Sequence, residues 1–162
     1  DKVWFMDEFL VRSTEFTDLR VGMKTVAFEK ENNLPTRKIH FHPHCHQRAE
    51  GPVVDGFASG TNATLDLLRS CGYEVELMDT GCCGMAGTFG YEAEHYDLSL
   101  KVGQLKLFPQ VKELQAQNDG SLVASSGAAC RMQIEQGTGM KAIHPLMLIA
   151  NFLSTDLSHD QK

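Results

Sequence analysis

No stretch of this chain is apolar for long enough to cross a bilayer. Its opening, Asp1-Lys2-Val3-Trp4-Phe5-Met6-Asp7-Glu8, has no basic lead and carries acids where a signal peptide would be apolar, so export is not expected. There is no cluster of lysine and arginine either. With a formal net charge of -6, that argues against a non-specific nucleic-acid binder. Five cysteines are an odd number, which fits a reducing compartment better than a disulfide framework. Tight C-x₂₋₄-C pairs, the usual mark of structural zinc, are absent. No initiator methionine opens the chain, and a fragment of a longer protein is as much to be expected as a processed end.

What is present is ordinary globular material. Hydrophobic residues make up 42% and charged residues 22%, and 162 residues suffice for one domain, 1–162, with its own core.

The cysteines are placed unusually. Cys82 and Cys83 are adjacent within Asp79-Thr80-Gly81-Cys82-Cys83-Gly84-Met85-Ala86-Gly87. A disulfide between neighbours closes a strained eight-membered ring, so adjacency staples a fold poorly. It presents two thiolates from one turn well, and the flanking glycines allow the backbone close to a bulky ligand. The plainer alternative is a pair of small buried residues in a tight turn. Cys45 lies in Phe41-His42-Pro43-His44-Cys45-His46, a dense set of ligand-type side chains in which each histidine alone reads more simply as a hydrogen-bonded loop residue. Cys130 follows the small-residue loop Ser126-Gly127-Ala128-Ala129. Cys71 ends a helical pattern among apolar neighbours and reads as core.

Periodicity supplies the scaffold. Residues 3–16 read as an amphipathic helix packed on the core, 24–29 as a short strand, 32–35 as a turn and 37–42 as a second strand. After a loop over 51–60, 61–70 reads as a helix opened by a Thr or Asn cap and closed at Cys71-Gly72. Residues 73–78 alternate as a strand. The longest helix is expected over 91–108, with Gly103 marking close packing and Pro109 ending or kinking it. Then come a turn at 118–120, a strand at 121–125, a helix from Cys130 to Gly137, a strand at 140–143 and an apolar helix at 146–153. The fold class is therefore α/β: a mainly parallel sheet with crossover helices. In such sheets ligands sit beyond the carboxyl ends of strands, where the loops of Cys45, Cys82, Cys83 and Cys130 all fall.

Four thiolates suit zinc or an iron–sulfur cluster. The 36 residues between Cys45 and Cys82, and the 46 between Cys83 and Cys130, fit a bulky cluster on a folded scaffold better than zinc. Adjacent thiolates point apart and reach two irons of one cluster more easily than two positions on one zinc. A four-thiolate cubane carries about two negative charges when oxidised, which the backbone N–H groups of Gly81, Gly84 and Gly87 and the following helix N-termini could offset. With every position filled, such a cluster moves electrons and leaves no open site for substrate.

At these residues the sequence resembles the cysteine-rich Cys-Cys-Gly domain family found in heterodisulfide reductase, in the glycolate oxidase iron–sulfur subunit and in the C-terminal part of FAD-linked D-2-hydroxyacid dehydrogenases. The resemblance rests on 41–46, on Gly81-Cys82-Cys83-Gly84-Met85-Ala86-Gly87-Thr88-Phe89-Gly90, on Cys130-Arg131-Met132-Gln133-Ile134-Glu135 and on His144. The run 87–108 is most similar to bacterial fusions of the D-2-hydroxyglutarate dehydrogenase type. This implies a cytoplasmic iron–sulfur domain, free or lying against the inner membrane, from the C-terminal part of an oxidoreductase acting on CH–OH groups. Electrons would pass from FAD, held by a flavin domain or subunit outside this chain, by way of a ferredoxin-like iron–sulfur domain, to an acceptor. No flavin motif and no ferredoxin-type cysteine run occur in the chain itself. The implied cluster is 4Fe-4S on Cys45, Cys82, Cys83 and Cys130, with no catalytic residue here.

Two departures from the family pattern stand out. Pro43-His44-Cys45-His46 replaces the family's Asp-Pro-Cys-His, which makes His44 a further candidate ligand or neighbour. Gly127 stands where the last Cys-x-x-Cys motif has its first cysteine, which weakens a five-thiolate noncubane arrangement. Two readings of other classes remain: a zinc-binding or docking module without redox function, and a thiol enzyme using Cys82 or Cys83 with a nearby His.

Overall fold

The computed structural model describes residues 3–14, 16, 38–51 and 53–157. The strand expected at 24–29 and the turn at 32–35 lie outside these residues. A three-stranded, all-parallel open sheet is surrounded by seven α-helices among the described residues. The order along the chain is α1 (Met6–Arg12), β1 (Lys38–Phe41), α2 (Cys45–Ala49), α3 (Gly60–Ser70), β2 (Glu74–Leu77), a 3₁₀ turn at Phe89–Tyr91, α4 (Tyr96–Leu105), α5 (Leu107–Gln117), β3 (Leu122–Ala124), α6 (Ala128–Thr138) and α7 (Pro145–Leu157). The α/β class expected from the alternation is the observed one.

Spatially the strands run β2-β1-β3, so the chain crosses from one edge to the other over the central strand. Ile39 lies beside Val75 and Leu122, and Phe41 beside Leu77 and Ala124. Side chains alternate across a strand, so these registers build two cores. Ile39, Phe41, Val75 and Ala124 pack with Leu65, Leu67 and Leu68 of α3 and Leu148 and Ile149 of α7. On the other face Val123 packs with Leu107, Phe108 and Val111 of α5 and Ile134 of α6. Consecutive connections thus cover opposite faces, and the crevice this opens lies at the carboxyl ends of the strands.

Several elements depart from the expectation. The helix expected over 91–108 starts at Tyr96 and breaks at Lys106, where the backbone turns to φ -143° and ψ -43°. Pro109 neither ends nor kinks a helix: it is the third residue of α5, where its missing N–H would lack an intrahelical partner anyway. The longest described helix is α7, with 13 residues. Of the strand expected at 140–143 only a bridge between Ile143 and Ala124 forms. Helix α6 runs past Gly137 and stops at Gly139, the residue in the left-handed region.

Helix α1 turns out partly reversed. Phe5, Met6 and Phe9 are about half exposed, whereas Glu8 is buried. The Glu8 carboxylate accepts the N–H of Gly60 at the start of α3, at 2.9 Å, and Asp7 accepts hydrogen bonds from Gln47 and Thr64. A carboxylate at a helix N-terminus satisfies a donor that the Thr or Asn cap was expected to satisfy.

Gly103 marks close packing, as expected, and Gly137 shares the role. A Cβ added at either would overlap the ring of Phe108, which is clamped between α4 and α6. Gly137→Ala should therefore lose about 1–3 kcal/mol to overpacking, even though alanine gains roughly 1 kcal/mol in helix propensity. Urea unfolding checks this, and Phe108→Leu in the same chain should recover part of the loss. A Gly137→Ala protein as stable as the parent would contradict the clamp.

Candidate metal centre

The three strands release their chain into the same crevice. Beyond Phe41 comes the loop to Cys45, beyond Leu77 the loop to Cys82 and Cys83, and beyond Ala124 the loop to Cys130. Cys45 opens α2, and Cys130 sits in the first turn of α6. Cys83 and Cys130 are buried, while Cys45 and Cys82 are exposed. The four thiols thus form a patch with a dry inner half and a wet outer half. Cys71 is elsewhere, 4% exposed among the core residues around α3, as the sequence suggested.

Cys83 sits against Cys130, and the hydrogen bond from the Cys130 thiol draws its pKa well down. Burial opposes this, while His42 and the Met85 N–H add to it. The Cys130 thiol is pushed up by the same contact and by burial. Burial also raises Cys82, partly offset by the Gly84 N–H, which donates to its sulfur at 3.3 Å. Cys45 is near enough to act electrostatically on both Cys82 and Cys130.

The two adjacent thiols are served alike. Each sulfur accepts from the backbone N–H two residues on, Gly84 for Cys82 and Met85 for Cys83. Gly81, Gly84 and Gly87 all adopt positive φ, at 65°, 102° and 69°. A backbone in this form turns successive N–H groups toward a concave, anion-favouring surface.

The sequence named His42 among its ligand-type side chains and read it more simply as hydrogen-bonded, as it is; it did not single out Met85 or Thr80. His42 is 1% exposed and its Nδ1 lies 2.6 Å from the Thr80 hydroxyl, so the ring is held where it meets Cys83. A buried histidine at a strand end, rather than on a polar loop, was the available signal. His44 caps α2, its Nδ1 accepting the His46 N–H at 3.3 Å, and burial is the main reason its pKa is lowered.

The spread of the sulfurs tests which metal group fits. Four thiolates on one zinc, at about 2.3 Å each, stand roughly 3.8 Å apart. Among the described residues, only Glu92, Glu94 and His95 bring three ligand-type atoms within 4.8 Å of one another; no three of the thiols do. As placed, no three thiols are close enough together to serve a single zinc ion.

Cys71→Ala should leave any metal content unchanged. It should cost only about 1 kcal/mol or a little more, since its side chain packs in the core away from the other four. Iron analysis of the variant after reconstitution checks this; loss of iron would place Cys71 in the centre.

A parallel sheet whose crevice gathers a Cys-Cys-Gly turn and two further cysteine loops defines a cysteine-rich α/β domain. Residues 39–135 match the CCG family, described as a cysteine-rich domain, and the chain belongs to that family. It is 36% identical over 118 residues to a subunit of the anaerobic glycerol-3-phosphate dehydrogenase of Escherichia coli (strain K12), covering 72% of this chain and 26% of that protein. It is also 34% identical over 84 residues to the D-2-hydroxyglutarate dehydrogenase of Pantoea ananatis (strain AJ13355), covering 51% of this chain and 8% of the relative. The Pseudomonas putida (strain KT2440) dehydrogenase of the same name is 28% identical over 109 residues, 67% of this chain and 10% of that protein. The chain therefore spans about a quarter or less of these relatives. No solved structure matches it. No helix among the described residues is long and apolar enough to cross a membrane.

Proposed function

We propose that this chain is a single electron-transfer domain of a larger flavin-linked dehydrogenase, and that Cys45, Cys82, Cys83 and Cys130 hold a four-iron, four-sulfur cluster. The observation that carries this reading is the placement of the four thiols on the loops beyond three parallel strands: Cys83 sits against Cys130 and Cys45 acts electrostatically on Cys82 and Cys130, yet no three of the sulfurs lie within 4.8 Å of one another. Bound there, the cluster supplies one-electron transfer. The chain's own residues hold the thiols and offset their charge. The N–H groups of Gly84 and Met85 face sulfur, and Gly81 and Gly87 shape the turn that aims them. Buried Cys83 and Cys130 anchor the inner side, and exposed Cys45 and Cys82 leave an outer edge through which a partner can exchange electrons.

The relatives are named for glycerol-3-phosphate and D-2-hydroxyglutarate, both small anions with a secondary alcohol. We extend that chemistry to the parent of this domain: oxidation of a hydroxylated anion at an FAD site outside the chain. Electrons would then pass through iron–sulfur centres, including this one, to an acceptor.

Anaerobic reconstitution with iron and sulfide tests the reading, with iron and sulfide counted per chain and EPR recorded after reduction. About four of each and a reduced-cluster signal are expected. Tight uptake of zinc with no cluster under any of these conditions would overturn it in favour of a non-redox module.

A further inference from the structure

Gly127 precedes α6 at φ -74° and ψ 124°, a conformation open to any residue, so backbone geometry does not require glycine there. Its surroundings do. A Cβ at Gly127 would lie 2.6 Å from Cδ2 of His44 and 2.9 Å from Sγ of Cys130. The imidazole edge of His44 and the Cys130 sulfur therefore flank the same point, and only a bare Cα leaves them that close.

The tautomer of His44 follows from its cap. The backbone N–H of His46 can only donate, so Nδ1 of His44 accepts and the ring proton resides on Nε2, the nitrogen bonded to Cδ2. The thiols it stands beside bind metal as thiolates, whose sulfur accepts hydrogen bonds.

We propose that His44 donates its Nε2–H into the sulfur shell of the centre on the Cys130 side, and that Gly127 is kept bare so that the ring can do so. This rests on the reading that the four thiols hold an iron–sulfur cluster. Hydrogen bonds to cluster or thiolate sulfur favour the reduced, more negative state and so raise the potential. His44 thus sets how readily the centre accepts an electron, while the four thiols hold it.

Two substitutions on different elements test this on the reconstituted protein. His44→Ser keeps a side-chain acceptor for the α2 cap and removes the donor. Gly127→Ala crowds the ring and the Cys130 sulfur at no backbone cost. His44→Ser should keep wild-type iron and sulfide and shift the midpoint potential negative in an EPR-monitored titration, Gly127→Ala should shift it the same way at whatever iron it retains, and His44→Gln, which restores an N–H at similar reach, should recover part of the shift. In the parent, labelling histidine with ¹⁵N should show a weak nitrogen coupling to the reduced cluster that His44→Ser removes. An unchanged potential in His44→Ser with full iron overturns the proposal and leaves the cluster reading intact. So does a strong, directly bonded nitrogen coupling or loss of iron on removing His44, which would make it a ligand. A parent chain that assembles no cluster overturns both.

Discussion

Gly84→Ala is expected to destabilise the domain by about 3–5 kcal/mol, the largest effect of any single methyl group added to it. Gly84 sits at φ +102°, where an L residue pays strain on the order of 1–2 kcal/mol. The larger cost is collision. The new Cβ would overlap the carbonyl oxygen of Ser99 and lie 2.9 Å from its carbonyl carbon. That carbonyl belongs to the backbone of α4 and cannot swing aside as a side chain could. Ser99 is itself fully buried; its hydroxyl bonds the Tyr96 carbonyl and accepts from Gln133 of α6. Relief would have to come from the double-cysteine turn, moving both sulfurs. Gly81 and Gly87 make the contrast. They share positive φ, but a Cβ on either meets nothing within 4 Å, so Gly81→Ala and Gly87→Ala should cost only about 1 kcal/mol each. Urea unfolding of the three variants separates strain from collision. Equal small losses in all three would show that the turn and α4 do not pack as described.

That contrast also shows how far the sequence could be read. The need for glycine around the cysteines was legible because a turn carrying two thiols requires unusual backbone angles. Which glycine is pressed against another element was not, since Ser99 lies fifteen residues further on and its carbonyl advertises nothing. The strand ends were legible for a similar reason: residues 73–78 alternate, then stop at a polar, Gly-rich loop. Helix α2 was missed because five residues carry too little periodicity to register, and α5 because Pro109 reads as a stop unless the helix begins just before it. The face of α1 was misjudged because apolar spacing counts Phe5 and Phe9 but not the N–H of Gly60, which draws Glu8 inward. In the centre, the thiol positions could be read from loop chemistry. The bonds of His42 to Thr80 and Cys83 join three loop residues that only the parallel pairing of β1 and β2 brings side by side.

Cys83→Ser should lower the iron retained after anaerobic reconstitution by at least about tenfold, while leaving the metal-free fold close to the parent in stability. Losing a residue that merely supports a metal ligand costs about 10–100-fold in affinity, and losing a ligand costs no less. Cys83 is the thiol best prepared to bind metal. Its pKa is drawn down by the hydrogen bond from Cys130, with help from His42 and the Met85 N–H, which favours the thiolate that metal needs. A serine hydroxyl in the same place does not ionise there and offers a hard oxygen where iron–sulfur chemistry wants soft sulfur. Removing it also frees Cys130 from the neighbour that does most to hold its proton, so Cys130 becomes more acidic and the residual site is altered, not just one thiolate short. The fold should hardly notice, because serine is no larger and Thr80 can still keep His42 in place. Thermal unfolding of both metal-free proteins controls for misfolding, and iron, sulfide and the reduced EPR signal give the answer. A Cys83→Ser protein with parental iron content and an unchanged signal would remove Cys83 from the ligand set and leave Cys130 as the only inner anchor.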